Sequence, residues 1–84
     1  HRAHIKAQLK SSQMSLRDVI AVSEFDDAVA GMRVVSVLEA LPGIGHVKAA
    51  ALMETCGVAT SRRLRGLGPH QAEALFRALD RRGQ

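Results

Sequence analysis

Residues 41–53 read Leu41-Pro42-Gly43-Ile44-Gly45-His46-Val47-Lys48-Ala49-Ala50-Ala51-Leu52-Met53, and this run decides the fold. Leu-Pro-Gly stops one helix sharply. Gly-Ile-Gly then turns the backbone into a second helix. Glycine reaches φ > 0 without strain and lets another molecule approach the main chain closely. The first amides of the following helix have no partner inside it. They point outward at the positive end of the helix dipole, where an anion is favoured. In a small basic protein that anion is most often a nucleic-acid phosphate. A plain helix-to-helix corner is the alternative reading, but a glycine cap needs only one glycine. Gly43, Ile44, Gly45, His46, Val47 and Lys48 are therefore the first candidate binding residues.

Working outward, the chain reads as all-α, with five helical pieces and no strand. Ala49, Leu52, Met53 and Cys56 form the stripe of a helix over about 46–56, which Gly57 caps. Before the turn, Val34, Val37, Leu38 and Leu41 lie at i, i+3, i+4 and i+7, the core face of a helix over 33–40. Arg33 stands at its start, where a positive residue works against the dipole, a hint that Arg33 serves a partner. Further back, Ser15 caps a helix running to about residue 24, with Asp18 three residues on as an imperfect capping box. Asp26 or Asp27 caps a short turn through Ala30, and Gly31 ends it. Two adjacent acids without further ligand spacing read as a cap, not a metal site. At the front, residues 2–11 form a basic helix: Ile5 and Leu9 share one face, and Arg2, Lys6 and Lys10 fall four apart on another.

Beyond the central helix, Thr60-Ser61 offers a second N-cap. Arg62-Arg63-Leu64-Arg65-Gly66-Leu67-Gly68 follows, three arginines in four residues and then two glycines, a second candidate phosphate-binding turn. Arg62, Arg63, Arg65, Gly66 and Gly68 are its candidate contacts. Pro69 fits the first position of a last helix, whose stripe is Ala72, Leu75, Phe76 and Leu79 and which is expected to reach about residue 82.

Eighty-four residues make one small domain, which buries only about 60% of its unfolded surface. The one cysteine, Cys56, falls on an apolar stripe and reads as a buried core thiol. A lone cysteine fits a reducing cytosol. No stretch approaches the ~20 apolar residues of a membrane span, and no signal peptide is visible. The chain begins with His1, not methionine, so trimming is expected and a native extension ahead of it stays open. The formal charge is +4, unevenly spread. Residues 1–10 carry +3, residues 11–30 carry −3, residues 31–60 balance, and residues 61–84 carry +4. Basic ends around an acidic segment suggest an anionic polymer as partner. Phe25 and Phe76 are the only aromatics. Single-strand binders and sequence-specific RNA modules stack bases on aromatic side chains, so a duplex backbone is the expected target. His1, His4, His46 and His70 are scattered without ligand spacing. No metal or cofactor is expected.

The run 41–53 resembles the helix-hairpin-helix element of DNA repair enzymes and polymerases. Gly43-Ile44-Gly45, Cys56-Gly57-Val58 and Arg62-Arg63-Leu64-Arg65-Gly66-Leu67 together resemble the helix-two-turns-helix domain shared with ribosomal protein thirteen of the small subunit. The fuller resemblance is to the actinobacterial integration host factor family. It covers nearly the whole chain, through Ser15-Leu16 with Val19-Ile20, Gly31-Met32-Arg33-Val34, Leu38-Glu39, residues 41–45, Gly57-Val58, residues 61–68 and Gln71. That family shares only its name with the β-ribbon integration host factor of minor-groove binding.

The resemblance implies a nucleoid-associated protein of the cytoplasm that binds duplex DNA with little sequence preference and bends or compacts it. By its pattern the DNA-contacting hairpin falls on Gly43, Ile44, Gly45, Val47 and Lys48, and a second contact region on Arg62, Arg63, Arg65, Gly66 and Gly68. His46 departs from the lysine common among relatives, and Ala50 and Ala51 from polar or basic residues. We expect residues 1–14 to form a basic N-terminal helix and link, and residues 15–84 the DNA-binding domain of a monomer. The two turns are expected to neighbour one another and grip one groove. The Arg2, Lys6 and Lys10 face is expected to be a third DNA-binding element on another side, beyond the acidic segment, drawing in a second segment of duplex. A structured-RNA or ribosomal module is the alternative, gripping A-form RNA by shape. Catalysis is set aside, because a flipped-base pocket needs more chain than surrounds this motif.

Overall fold

A computed structural model describes residues 2–80. The expected extension of the last helix to residue 82, with Arg81 and Arg82, and any role for His1 lie outside the described residues. Six α-helices follow in order: α1 Arg2–Lys10, α2 Leu16–Ser23, α3 Asp27–Ala30, α4 Val34–Ala40, α5 His46–Thr55 and α6 Pro69–Asp80, with one 3-10 turn at Leu64–Gly66. The only β-type pairing among the described residues is an isolated antiparallel bridge between Arg33 and Arg63.

The helix ends follow local chemistry. Ser15 caps α2 and makes a full capping box with Asp18: the Asp18 amide donates to Ser15 Oγ at 3.2 Å and the Ser15 amide to Asp18 Oδ2 at 2.9 Å. The short aspartate side chain thus completes the motif usually formed by Glu or Gln. Asp26, not Asp27, caps α3, accepting from the amides of Ala28 and Val29. α5 ends in a Schellman motif with Gly57 at φ 69°. Val58 donates to the Met53 carbonyl and Gly57 to that of Glu54, and the buried side chains of Val58 and Met53 supply the accompanying contact. α1 ends in the same motif with a serine: Ser12 has φ 66°, and Gln13 and Ser12 donate to the carbonyls of Gln8 and Leu9.

One core collects the apolar stripes. It comprises Ile5 and Leu9 of α1, Leu16 and Val19 of α2, Val29, Met32, Val34, Val37, Leu38 and Ala40, then Ile44, Ala49, Met53, Val58, Leu64 and Leu75. Burying each such Leu, Ile, Val or Met side chain contributes about 1.5–3 kcal/mol. Cys56 is only half-buried at the rim of this core, because it lies at the C-cap of α5, where the helix surface turns away. α4 is central, packing against both α1 and α5. The Arg17 guanidinium lies 4.0 Å from the centre of the Phe76 ring, tying α2 to α6.

Candidate nucleic-acid interface

The first turn forms as its residues dictate. Gly43 has φ 76°, a conformation that L side chains resist. Gly45 does not need that freedom: at φ −93° and ψ −174° it is extended and serves as N-cap of α5, with no side-chain cap bond. A Cβ built on either glycine meets nothing within 4 Å, so the backbone here is open to an approaching molecule. Ile44 between them turns inward and is 5% exposed. It anchors the hairpin in the core and leaves only its backbone to a partner. Val47, by contrast, is 79% exposed, and Gly45, His46 and Lys48 are exposed beside it. An exposed apolar side chain at the mouth of a helix N-terminus suits contact with sugars or bases at a groove edge. His46 Nδ1 lies 2.6 Å from Glu39 Oε2. Glu39 was not legible as a site residue, because only the reversal of direction between α4 and α5 sets it beside His46. Lys10 reaches the same end of α4, donating to the Glu39 carbonyl at 3.5 Å.

The second turn is more internally tied than its sequence suggests. Arg62 folds back, and its Nη1 donates to the Gly66 carbonyl at 2.7 Å. A Cβ on Gly66 would meet Arg62 Cδ at 3.3 Å. The close approach at Gly66 is thus made by this chain's own Arg62. Arg63 donates to the Gly31 carbonyl, and Arg65 to that of Asp27 at 3.4 Å. Gly68 sits at the start of α6, donating to Gln71 Oε1 at 3.2 Å, and Gln71 Nε2 donates on to the Gly57 carbonyl at 2.8 Å. Gln71 therefore braces the second turn against the end of α5.

The placement of the basic residues differs from expectation. Val34 donates to the Arg62 carbonyl and Leu64 to that of Met32, both at 2.9 Å, which fixes the 62–68 turn at the beginning of α4. The 43–48 hairpin lies at its other end. Seven residues of helix separate the two turns by about 10 Å. They do not adjoin but lie at opposite ends of α4. The N-terminal face is not on a separate side either. Arg2 donates to the Ala28 carbonyl at 3.2 Å, and Arg2 and Lys6 share a cleft with Arg33 and Arg63. The acidic segment fails to separate them because α3 presents carbonyl groups at its C-terminal end to these arginines, favourable for cations, while Asp26 is turned to its N-terminal end.

No group of three or more metal-ligating side chains occurs among the described residues, and none of their helices is long and apolar enough to cross a membrane.

Comparison with known proteins agrees with this architecture. A family described as the S13-like H2TH domain matches residues 9–79. The chain is 45% identical over 76 residues to the integration host factor of Streptomyces coelicolor, covering 90% of this chain and 71% of that protein. It is 42% identical to that of Mycolicibacterium smegmatis, covering 94% and 75% of the two chains. It is 43% identical to that of Mycobacterium tuberculosis, covering 89% and 71%. A solved structure of sIHF bound to an 8-bp palindromic DNA superposes with a TM-score of 0.88 at 44% identity, over 92% of this chain and 86% of that one. With this hairpin, this helix order and these relatives, the chain belongs to the integration host factor family of actinobacteria, built on the S13-like H2TH domain.

Proposed function

We propose that this protein is an architectural, nucleoid-associated DNA-binding protein that grips the duplex backbone with little sequence preference and bends or compacts the DNA. The observation that carries the reading is the open backbone of the 43–48 hairpin, with uncapped Gly45 heading α5 and nothing within 4 Å of the Cβ positions of Gly43 and Gly45. Helix amides so exposed are a ready anion site. The relative of known structure, which is bound to DNA, supports the same partner here. Hairpin residues Gly43, Gly45, His46, Val47 and Lys48 take one strand, with Lys10 beside them. Arg62 and Arg65 of the second turn take phosphates across the groove. The protein acts without catalysis, as a binding module.

Titrating the chain against duplex DNA, duplex RNA and single-stranded DNA of equal length tests this. Duplex DNA is expected to bind best, and unrelated duplexes within about tenfold of one another. With roughly four to six phosphates neutralised, log K is expected to fall with log salt at a slope of about −4 to −5. Preference for duplex RNA, affinity indifferent to salt, or strong selection of one short sequence would each overturn the reading.

A further inference from the structure

We propose that the cleft between α1 and the beginning of α4 is a binding site for an oligophosphate, a chain of three or more linked phosphate groups such as tripolyphosphate or the tail of a nucleoside triphosphate. The site is distinct from the hairpin, and the inference does not depend on DNA being the partner there.

The cleft has a volume of about 330 Å³ and is lined by Arg2, Lys6, Met32, Arg33, Ser36 and Arg63. Four of these are cations, one adds a hydroxyl, and none is a carboxylate. Three separate pieces of chain contribute: α1, the beginning of α4, and the segment entering the 3-10 turn. The backbone holds two of the cations against each other. Arg33 and Arg63 stand opposite one another in an antiparallel bridge, where like charges destabilise. Two further bonds orient the arginines: Arg2 Nε donates to the Ala28 carbonyl at 3.2 Å and Arg63 Nη1 to the Gly31 carbonyl. Each uses one of a guanidinium's five donors, so the carbonyls position these groups without exhausting them. Guanidinium forks match phosphate oxygens in pairs.

The shape and charge favour linked phosphates over a duplex. A DNA strand presents one charge per about 3.4 Å of axis on a convex surface. It offers a concave cleft one or two phosphates at a time. An oligophosphate concentrates several negative charges within a few ångströms and neutralises the four cations together. A single orthophosphate reaches only some of them.

The test is titration of the whole chain with tripolyphosphate and with orthophosphate, followed by calorimetry and by amide chemical shifts, near physiological salt of about 0.15 M. Tripolyphosphate is expected to bind at least about tenfold more tightly than orthophosphate, with shifts centred on Lys6, Arg33, Ser36 and Arg63. Lys6 and Arg33 are exposed, so Lys6→Glu and Arg33→Glu are suitable variants. Each is expected to weaken tripolyphosphate about tenfold or more, and Lys48→Glu at the hairpin to leave it within about twofold. If Arg33→Glu does not fold, Lys6→Glu decides alone. Absence of saturable binding, equal affinity for the two anions, shifts spread over every basic residue, or equal loss in Lys48→Glu would overturn the proposal. A duplex arm separates the two sources of phosphate. If DNA displaces tripolyphosphate and Lys6→Glu weakens both equally, the cleft belongs to the DNA backbone and the proposal falls. Should duplex DNA not bind at all, the tripolyphosphate titration still reads the cleft.

Discussion

Ser12 and Gly45 show how single residues divide stability from binding. Ser12 holds φ at 66°, closing the turn after α1 where glycine is the usual residue. A left-handed L-residue costs roughly 1–2 kcal/mol, and glycine gives back part of that through unfolded-state entropy. Ser12→Gly is therefore expected to raise stability by about 0.5–1 kcal/mol, read as a higher urea midpoint at unchanged m-value. Gly45 is the opposite case. Its backbone is extended and its surroundings empty, and aspartate is a better N-cap than glycine by only a few tenths of a kcal/mol. Gly45→Asp should thus leave helicity and thermal midpoint unchanged or slightly raised. Its carboxylate would occupy the anion position, and duplex affinity should drop at least about tenfold. Circular dichroism beside fluorescence anisotropy checks both halves. Retained helicity with unchanged affinity would reduce the hairpin to a corner.

At the scale of elements, the 62–68 turn does two jobs. Arg63 is exposed but tied across the fold to the Gly31 carbonyl, while half-buried Arg62 bonds only within the turn, to the Gly66 carbonyl, and exposed Arg65 makes a single long bond of 3.4 Å to that of Asp27. Replacing Arg62, Arg63 and Arg65 together by alanine is expected to weaken binding evenly across sequences. The salt slope should become shallower by about one unit per lost phosphate contact. Arg63→Ala alone should cost stability, about 1 kcal/mol for a partly exposed charged hydrogen bond, with the smallest change in slope. Salt titrations of the single variants, paired with denaturation curves, make the comparison. A large slope change in Arg63→Ala with no loss of stability would reverse the assignment.

The whole molecule is small against its proposed partner. At about 3.4 Å of rise per base pair, its longest dimension of 28 Å spans on the order of eight base pairs. Titration of long duplexes should saturate near one protein per eight base pairs, as measured by stoichiometric calorimetry. Bending a site of 20–30 base pairs costs of order 1–6 kcal/mol, which a few phosphate contacts from two turns at opposite ends of α4 can offset. Ring closure of short duplexes is expected to speed up with added protein. Unchanged closure at saturation would mean binding without bending.

What the sequence determined by itself was local. The helix stripes, the caps at Ser15 and Gly57, and the glycine hairpin follow from periodicity and from backbone preferences within a few residues, while only the structure decides that Asp26, not Asp27, caps α3. The all-α architecture follows with them. Ser12 escaped because a serine in a left-handed turn carries no local signal. Glu39 and Ser36 escaped because they belong to a helix that reads as core, and only packing shows what their outer sides meet. The tertiary structure decided how the charges group. Charge counted along the chain put the basic N-terminus and the arginine turn on different sides of an acidic segment. The bridge between Arg33 and Arg63 and the packing of α1 on α4 brought them together. The physical reason is that burial of Ile5, Leu9, Val34 and Leu64 fixes where each segment runs, and exposed charges are carried along with the apolar side chains that hold them.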